Sequence, residues 1–219
     1  GLILLGYGDY LSYRDKLQTL VEQGTHFVRW GAVLPDQPGV SIGCDNFHGG
    51  ELVGDHLVGL GRSRIAFLGD ASSHYPEFFD RYRGCDAALQ RAGSAMDRAL
   101  QIDAESSEEA GYAAARELLG RGIAFDAVFA ASDLIAIGAM RALAEHGLHV
   151  PDDIAVVGFD DIPMARFVKP PLTTVVQDTT RAGELLVDTL MKLVRDEPAE
   201  SITLPASLVI RRSSGAREA

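Results

Sequence analysis

Asp160 and Asp161 close the apolar run "IAVVGFDD" (Ile154 to Asp161). Two carboxylates at the end of such a run could form half of a hydrolase active site, a metal site, or a clamp for a polyol ligand. Adjacent residues on an extended strand point to opposite faces, so the pair cannot easily converge on one scissile bond. Glycosidase carboxylates face each other across roughly 5 to 9 Å of substrate. A metal is poorly served as well, because neither an Asp-x-Asp-x-Asp-Gly loop nor a His pair at helical spacing occurs. The remaining assignment gives Asp160 to a ligand as a hydrogen-bond acceptor and Asp161 to the backbone of "IPMARF" (Ile162 to Phe167) as a cap.

Other routes to catalysis fail on spacing. There is no Gly-x-Ser-x-Gly and no phosphate-cradling Gly-x-x-x-x-Gly-Lys, and "GYGDY" at Gly6 to Tyr10 lacks the third glycine of a dinucleotide fingerprint. The six histidines, at 26, 48, 56, 74, 146 and 149, are scattered. In "RYRGCDAALQRAG" (Arg81 to Gly93), Arg81 and Arg83 open a helix, where a cation runs against the macrodipole. Arg81 can present a planar fork of donors to vicinal hydroxyls or a carboxylate; a solvated surface arginine is the equal alternative. Trp30, the only tryptophan, ends a short apolar run before Gly31, where it offers a flat face to a sugar ring or fills core. Ser132 and Asp133 precede "LIAIGAM" and fit a helix N-cap, a role that for Asp133 comes ahead of ligand binding; Asn46 before "HGGELVG" can cap as well.

The elements that must position these residues alternate. Short apolar runs at Leu2 to Gly6, His26 to Trp30, Val40 to Asp45, Arg64 to Asp70, Ala127 to Ser132 and Ile154 to Asp161 read as strands buried on both faces. Stretches with apolar residues three and four apart separate them: Arg14 to Gly24, Glu51 to Gly61, Arg81 to Gly93, Ser107 to Gly122 and Leu134 to Gly147, each closing on glycine. A strand at Thr173 to Asp178, a helix at Thr180 to Glu197 and a strand at Ala206 to Ser214 complete the chain. Strand-helix alternation predicts an α/β fold with parallel sheets covered by helices. Ligands bind such sheets at the C-terminal strand ends, where Trp30, Asp45, Asn46, Asp70, Ser132, Asp160, Gln177 and Asp178 all fall. The turn-rich "GDASSHYP" near residues 70–75 predicts a boundary between subdomains.

The whole-chain properties narrow the partners. The 219 residues are 47% hydrophobic, enough for a sizeable core in one large or two small domains. A net charge of −11 argues against nucleic-acid binding by this chain alone, since phosphate neutralisation needs a basic stripe. The two cysteines, Cys44 and Cys85, lie far apart, which predicts reduced thiols and a cytoplasmic setting. No apolar run reaches the length of a membrane span. Gly1 opens directly into "LILLG", which suggests that the sequence begins inside a longer protein.

Four segments, "GGELVGDHLVGLGRSRIAFLGD" (Gly49 to Asp70), "AVFAASDLIAIGAMRALAEHGLHVP" (Ala127 to Pro151), "VPDDIAVVGFDDIPMARFVKPPLTTVVQD" (Val150 to Asp178) and the closing "LPASLVIRRSS", resemble the effector-binding domain of the lactose/galactose repressor (LacI/GalR) family of bacterial transcription regulators. The resemblance implies a periplasmic-binding-protein-like fold of two Rossmann-like subdomains, an effector, usually a sugar, in the cleft between them, and a homodimer. It implies no cofactor, no metal and no catalysis. By position, Arg81 matches the family's cleft arginine, Asp160 its ligand-facing aspartate and Gln177 the amide of the crossover strand. Ser132 replaces the usual asparagine, and "VRWGAVLP" (Val28 to Pro35) offers Trp30 where the family has an aspartate. Phe167 and Val168 match the dimer contact, and Pro170-Pro171 lead across a hinge.

The implied organisation is a partial N-terminal subdomain at 1–70, a C-terminal subdomain at 71–172 and a shared crossover segment at 173–219. The family's helix-turn-helix, which would contact operator DNA, has no counterpart here. Nor do two leading strand-helix units, about fifty to sixty residues at roughly 30 per unit. A periplasmic sugar-binding protein of a transporter is the alternative reading, and a sugar hydrolase using Asp160 or Asp161 a third.

Overall fold

The computed structural model describes residues 1–6 and 8–215. In chain order these form β1 (Leu2–Leu5), α1 (Tyr10–Glu22), β2 (Phe27–Trp30), β3 (Val40–Cys44), α2 (Asn46–Gly59), β4 (Ile65–Leu68), α3 (Pro76–Arg91), β5 (Gln101–Ile102), α4 (Glu108–Gly120), β6 (Ala127–Ala130), α5 (Asp133–Glu145), β7 (Ala155–Asp160), β8 (Thr173–Val176), α6 (Thr179–Val194), β9 (Ile202–Leu204) and β10 (Ser207–Val209). They build two sheets, ordered β1-β2-β3-β9 and β10-β8-β7-β6-β4-β5. All neighbours are parallel except β10, which runs antiparallel to β8. The parallel α/β fold is the one expected from the alternation, and its two sheets form two lobes.

The central apolar runs become strands because both faces are covered; β1 departs from that expectation, since it lies at the edge of its sheet with Leu2, Ile3 and Leu5 exposed. Ile65, Ala66, Phe67 and Leu68 of β4, and Ala127 to Ala130 of β6, are at most 1% exposed. Helices start where a side-chain oxygen meets otherwise unpaired backbone N–H groups. Asp9 accepts from Leu11 N and Ser12 N at the head of α1, and Asp45 from His48 N at the head of α2. Ser107, Ser132 and Asp178 do the same for α4, α5 and α6. In α2 and α3 the backbones touch: a Cβ at Gly84 would overlap the Phe47 carbonyl oxygen, and one at Gly50 the Arg81 carbonyl oxygen. That contact fixes the height of Arg81 above the second sheet.

Several boundaries differ from the sequence expectation. The chain passes from the first sheet to the second between β3 and α2, since α2 packs along α3 and β4 belongs to the second sheet. The turn-rich stretch at 70–75 is therefore a loop within the second lobe, and the division lies near residue 45 rather than 70. The prolines at 170 and 171 precede β8, which still pairs with β7; the return to the first lobe comes after Gln177, where α6 packs on β1, β2 and β3. The chain crosses once more between β9 and β10. Helix α3 begins at Pro76, so Arg81 sits in its second turn rather than at its start. Strands β5 and β9, two and three residues long, carry too little apolar sequence to be seen in advance. The closing stretch is strand only at Ser207–Val209 and ends in a 3-10 turn at Arg212–Ser214.

Candidate functional site

A cavity of about 500 Å³ lies where the C-terminal strand ends of the two sheets meet. Gly6 and Gly8 after β1, Trp30 and Gly31 at the end of β2, and Cys44 at the end of β3 form the wall from the first lobe. The second lobe contributes Asn46, the face of α3 carrying Glu77, Phe78 and Arg81, the loop Glu105 to Ser107 after β5, Asp160 and Gln177. Small residues on one side and long polar ones on the other leave room for a ligand between the lobes.

The polar corner is built around Arg81, which is 4% exposed. Its Nε donates to Asn46 Oδ1 at 2.9 Å and its Nη1 to the Ala131 carbonyl, and Nη1 lies 3.8 Å from Asp160 Oδ1. The guanidinium stacks 3.6 Å from the Phe159 ring centroid. Gln177 Nε2 donates to Asp160 Oδ1 at 2.5 Å. Burial pushes the Asp160 carboxyl above its ordinary range, while Arg81 and then Gln177 pull it back. A carboxylate, a guanidinium and two amides thus meet at one end of the cavity, a mixture of donors and acceptors that suits a ligand dense in hydroxyls.

Asp160 and Asp161 do part company, but regular strand geometry is not the cause. Their φ angles are 120° and 51°, both in the region that L residues rarely occupy. Such conformations cost about 1 to 3 kcal/mol each and persist only where the surroundings enforce them. Asp161 turns away from the cavity and accepts from Arg211 Nη2 at 2.5 Å and Arg166 Nη2 at 3.3 Å. It does not cap the following turn. Ile162 N donates instead to Asp133 Oδ2 at 2.9 Å, and Thr174 Oγ1 donates to Asp133 Oδ1 at 2.5 Å. Asp133 is fully buried, and burial pushes its carboxyl up to about 7.

Trp30 is 8% exposed and lines the cavity. Tyr75 and Phe78, stacked with centroids 6.0 Å apart, add further aromatic surface to the wall. Ser132 does not line the cavity: it is buried, caps α5 through Ile135 N, and shares a 2.9 Å hydroxyl contact with Ser106, which does line it. Asn46 follows the cap rather than forming it, which frees its amide to hold Arg81. Arg83 pairs with Asp80 at the surface.

Sequence reasoning missed Glu77, Phe78, Tyr75, Asp9 and the Glu105 to Ser107 loop. Glu77 and Phe78 stand four and three residues before Arg81, so they share its helical face once the helix is started at Pro76. Contacts across the cleft involve the same residues. Ala32 N in the first lobe donates to Glu77 Oε1 at 2.7 Å, His74 Nδ1 lies 2.9 Å from Asp9 Oδ1, and Tyr10 N donates to the His74 carbonyl at 2.7 Å. The two lobes are therefore latched together at the cavity's edge.

Comparison with known proteins places this architecture. Residues 54–214 match the periplasmic binding protein-like domain family. The chain is 34% identical over 208 residues to the HTH-type transcriptional repressor PurR of Mannheimia succiniciproducens, covering 92% of this chain and 61% of that protein. Among solved structures it is similar to the CelR–cellobiose complex, a transcriptional regulator (TM-score 0.87, 32% identity, 97% of this chain and 65% of that one). It is also similar to a LacI family transcriptional regulator from Enterococcus faecium with bound ribose (TM-score 0.85, 27% identity, 99% and 80%). The chain spans about six-tenths of the length of the curated relatives it matches, 61% of PurR and 58% of the CelR of Thermobifida fusca. With the family match over most of its length and this fold, the chain belongs to the periplasmic binding protein-like domain family, in the group formed by the effector-binding domains of LacI/GalR-type regulators.

Proposed function

We propose that the chain is the ligand-binding and dimerisation part of a sugar-responsive bacterial transcriptional repressor, with the effector held between the two lobes by Trp30, Arg81, Asp160 and Gln177. Ser132 supports that site from behind through Ser106. The observation that carries the reading is the cavity at the meeting of the two sheets, with aromatic walls at Trp30, Tyr75 and Phe78 and a polar corner at Arg81, Asn46, Asp160 and Gln177. Apolar ring faces stack on aromatic side chains while hydroxyls exchange hydrogen bonds with the corner, so a pyranose or furanose satisfies both halves.

A ligand touching both lobes binds the closed arrangement better than the open one and so biases the lobe orientation. That bias would pass through a homodimer to operator DNA held by a part of the protein outside this chain. The exposed Met164 and Phe167, at 55% and 77%, suit a dimer contact on the second lobe; Val168 packs partly into the core instead. The lobes proposed are residues 1–45 with α6 and β9, and residues 46–177 with β10. The setting proposed is cytoplasmic, and among the described residues no helix is long and apolar enough to cross a membrane. The proposal includes no turnover: Asp161 is held by Arg211 and Arg166, away from Asp160 and the cavity. A transporter's periplasmic sugar-binding protein is less well supported, since the relatives reported above are transcription regulators.

Calorimetry against mono- and disaccharides tests the reading. One or more sugars should bind, and Arg81→Ala should weaken that binding by tenfold or more, on the order of the 1.5 to 3 kcal/mol carried by a hydrogen bond to a charged group. Unchanged affinity in the variant would remove the assigned site.

A further inference from the structure

The charge around this cavity is one-sided. Among the described residues, Asp9, Glu77, Glu105 and Asp160 belong to its lining, against a single lining cation, Arg81. Chain-wide, acidic residues outnumber basic ones 31 to 20, and the lining leans further in the same direction. The field extends to the mouth: the Tyr75 phenol is held above its ordinary range, first by burial and then by Glu105, Asp70, Asp9 and Asp103.

The nearby cations are already engaged by the protein. Arg81 is bound to Asn46 and the Ala131 carbonyl beside Asp160. Arg29, 1% exposed behind Gly6 and Gly31, donates to Ser41 Oγ, Tyr13 OH, Gln37 Oε1 and the Ala32 carbonyl. Among the carboxylates, Glu105 differs from the rest. It is exposed at the lining and its side chain makes no hydrogen bond or ion pair with the described residues.

An anionic group entering this space loses its hydration and meets like charge at short range, where the effective dielectric is well below that of water. Like-charge juxtaposition is a recognised means of rejecting a wrong ligand. We propose that this cavity takes uncharged or cationic sugars and rejects phosphorylated and carboxylated ones, with Glu105 as a specificity-determining residue. The inference rests on the reading of the cavity as a sugar site.

The test is calorimetry at low salt with ribose, glucose, galactose and cellobiose, followed by ribose 5-phosphate, glucose 6-phosphate, gluconate and glucosamine. A neutral sugar should bind, its phosphate or acid should bind at least about tenfold more weakly, and an amino sugar should bind no more weakly than its parent. Added salt should narrow the gap between neutral and anionic sugars by screening. Glu105→Gln, at an exposed position, should shrink the ratio of neutral to anionic affinity by about threefold or more. An anionic sugar that binds as tightly as its neutral parent overturns the charge selection and leaves the sugar site standing. A ratio unmoved by both salt and Glu105→Gln also overturns it. Failure of every sugar, neutral or charged, overturns the sugar site and the selection with it.

Discussion

Asp133→Asn should change how stability depends on pH, in a direction that the structure dictates. The Asp133 carboxyl is fully buried and accepts from Thr174 Oγ1 and Ile162 N. Burial raises it from the ordinary 3.8 to about 7, and Asp160 and Asp161 add repulsion. Between those values the folded protein keeps a proton that the unfolded chain releases. This stability is therefore fully present below about pH 4 and is lost as pH rises through about 7, to a total of about 4 kcal/mol. Asparagine does not ionise. It keeps one acceptor and gives up the other, a constant cost of about 1 to 2 kcal/mol. The variant should be the less stable protein near pH 4 and the more stable near pH 8, with the two curves crossing between. Urea unfolding followed by circular dichroism at a series of pH values measures the difference, and groups common to both proteins cancel. A difference that stays constant from about pH 4 to pH 8 would refute the reasoning.

Two further perturbations probe the lobes and the packing beneath them. Replacing both Glu77 and His74 with alanine removes two side-chain contacts across the cleft, each worth about 0.5 to 1.5 kcal/mol. The ligand-free protein should then open, with a larger radius of gyration by small-angle scattering; an unchanged radius would mean that these contacts do not hold the lobes. Gly84→Ala forces a methyl group against the Phe47 carbonyl and should cost about 1 to 3 kcal/mol, read as a lower urea midpoint. Because Arg81 rides on the same helix, sugar affinity should fall as well, and a variant with wild-type stability would show that α2 and α3 are not locked by this contact.

Much of this architecture is legible in the sequence because the central strands are buried on both faces and the helices are not. Continuous runs such as Ile65–Leu68 and Ala155–Asp160 stand out against amphipathic segments, and the alternation of the two fixes a parallel α/β fold. Strand-end logic pointed to Trp30, Asp160 and Gln177, which the structure puts in the cavity lining. What escaped depends on contacts between distant residues. The Ile162 N–H ahead of that turn goes to Asp133, 29 residues earlier, and no side chain caps the turn itself, so a local reading gives Asp161 a role it does not have. Glu105 and Ser106 follow a two-residue strand that carries no periodic signal. The start of α3 could have been read from Pro76 at its first position, and with it Glu77 and Phe78 on the face of Arg81. The crossing near residue 45 has no loop of its own, because β3 ends at Cys44 and α2 starts at Asn46, with Gly49 and Gly50 inside the helix; the turn-rich loop at 70–75 drew the boundary instead.

The central claim, that a sugar sits between the lobes against Trp30 and the Arg81–Asp160 corner, is open to one direct measurement. Trp30 is the only tryptophan and lines the cavity, so its fluorescence reports the site without a label. Titration with the sugar found by calorimetry should give a saturable change in Trp30 emission at the calorimetric affinity, and Asp160→Ala should weaken that response by about tenfold or more. Binding that leaves Trp30 emission unchanged, or a response that survives intact in Asp160→Ala, would contradict the account.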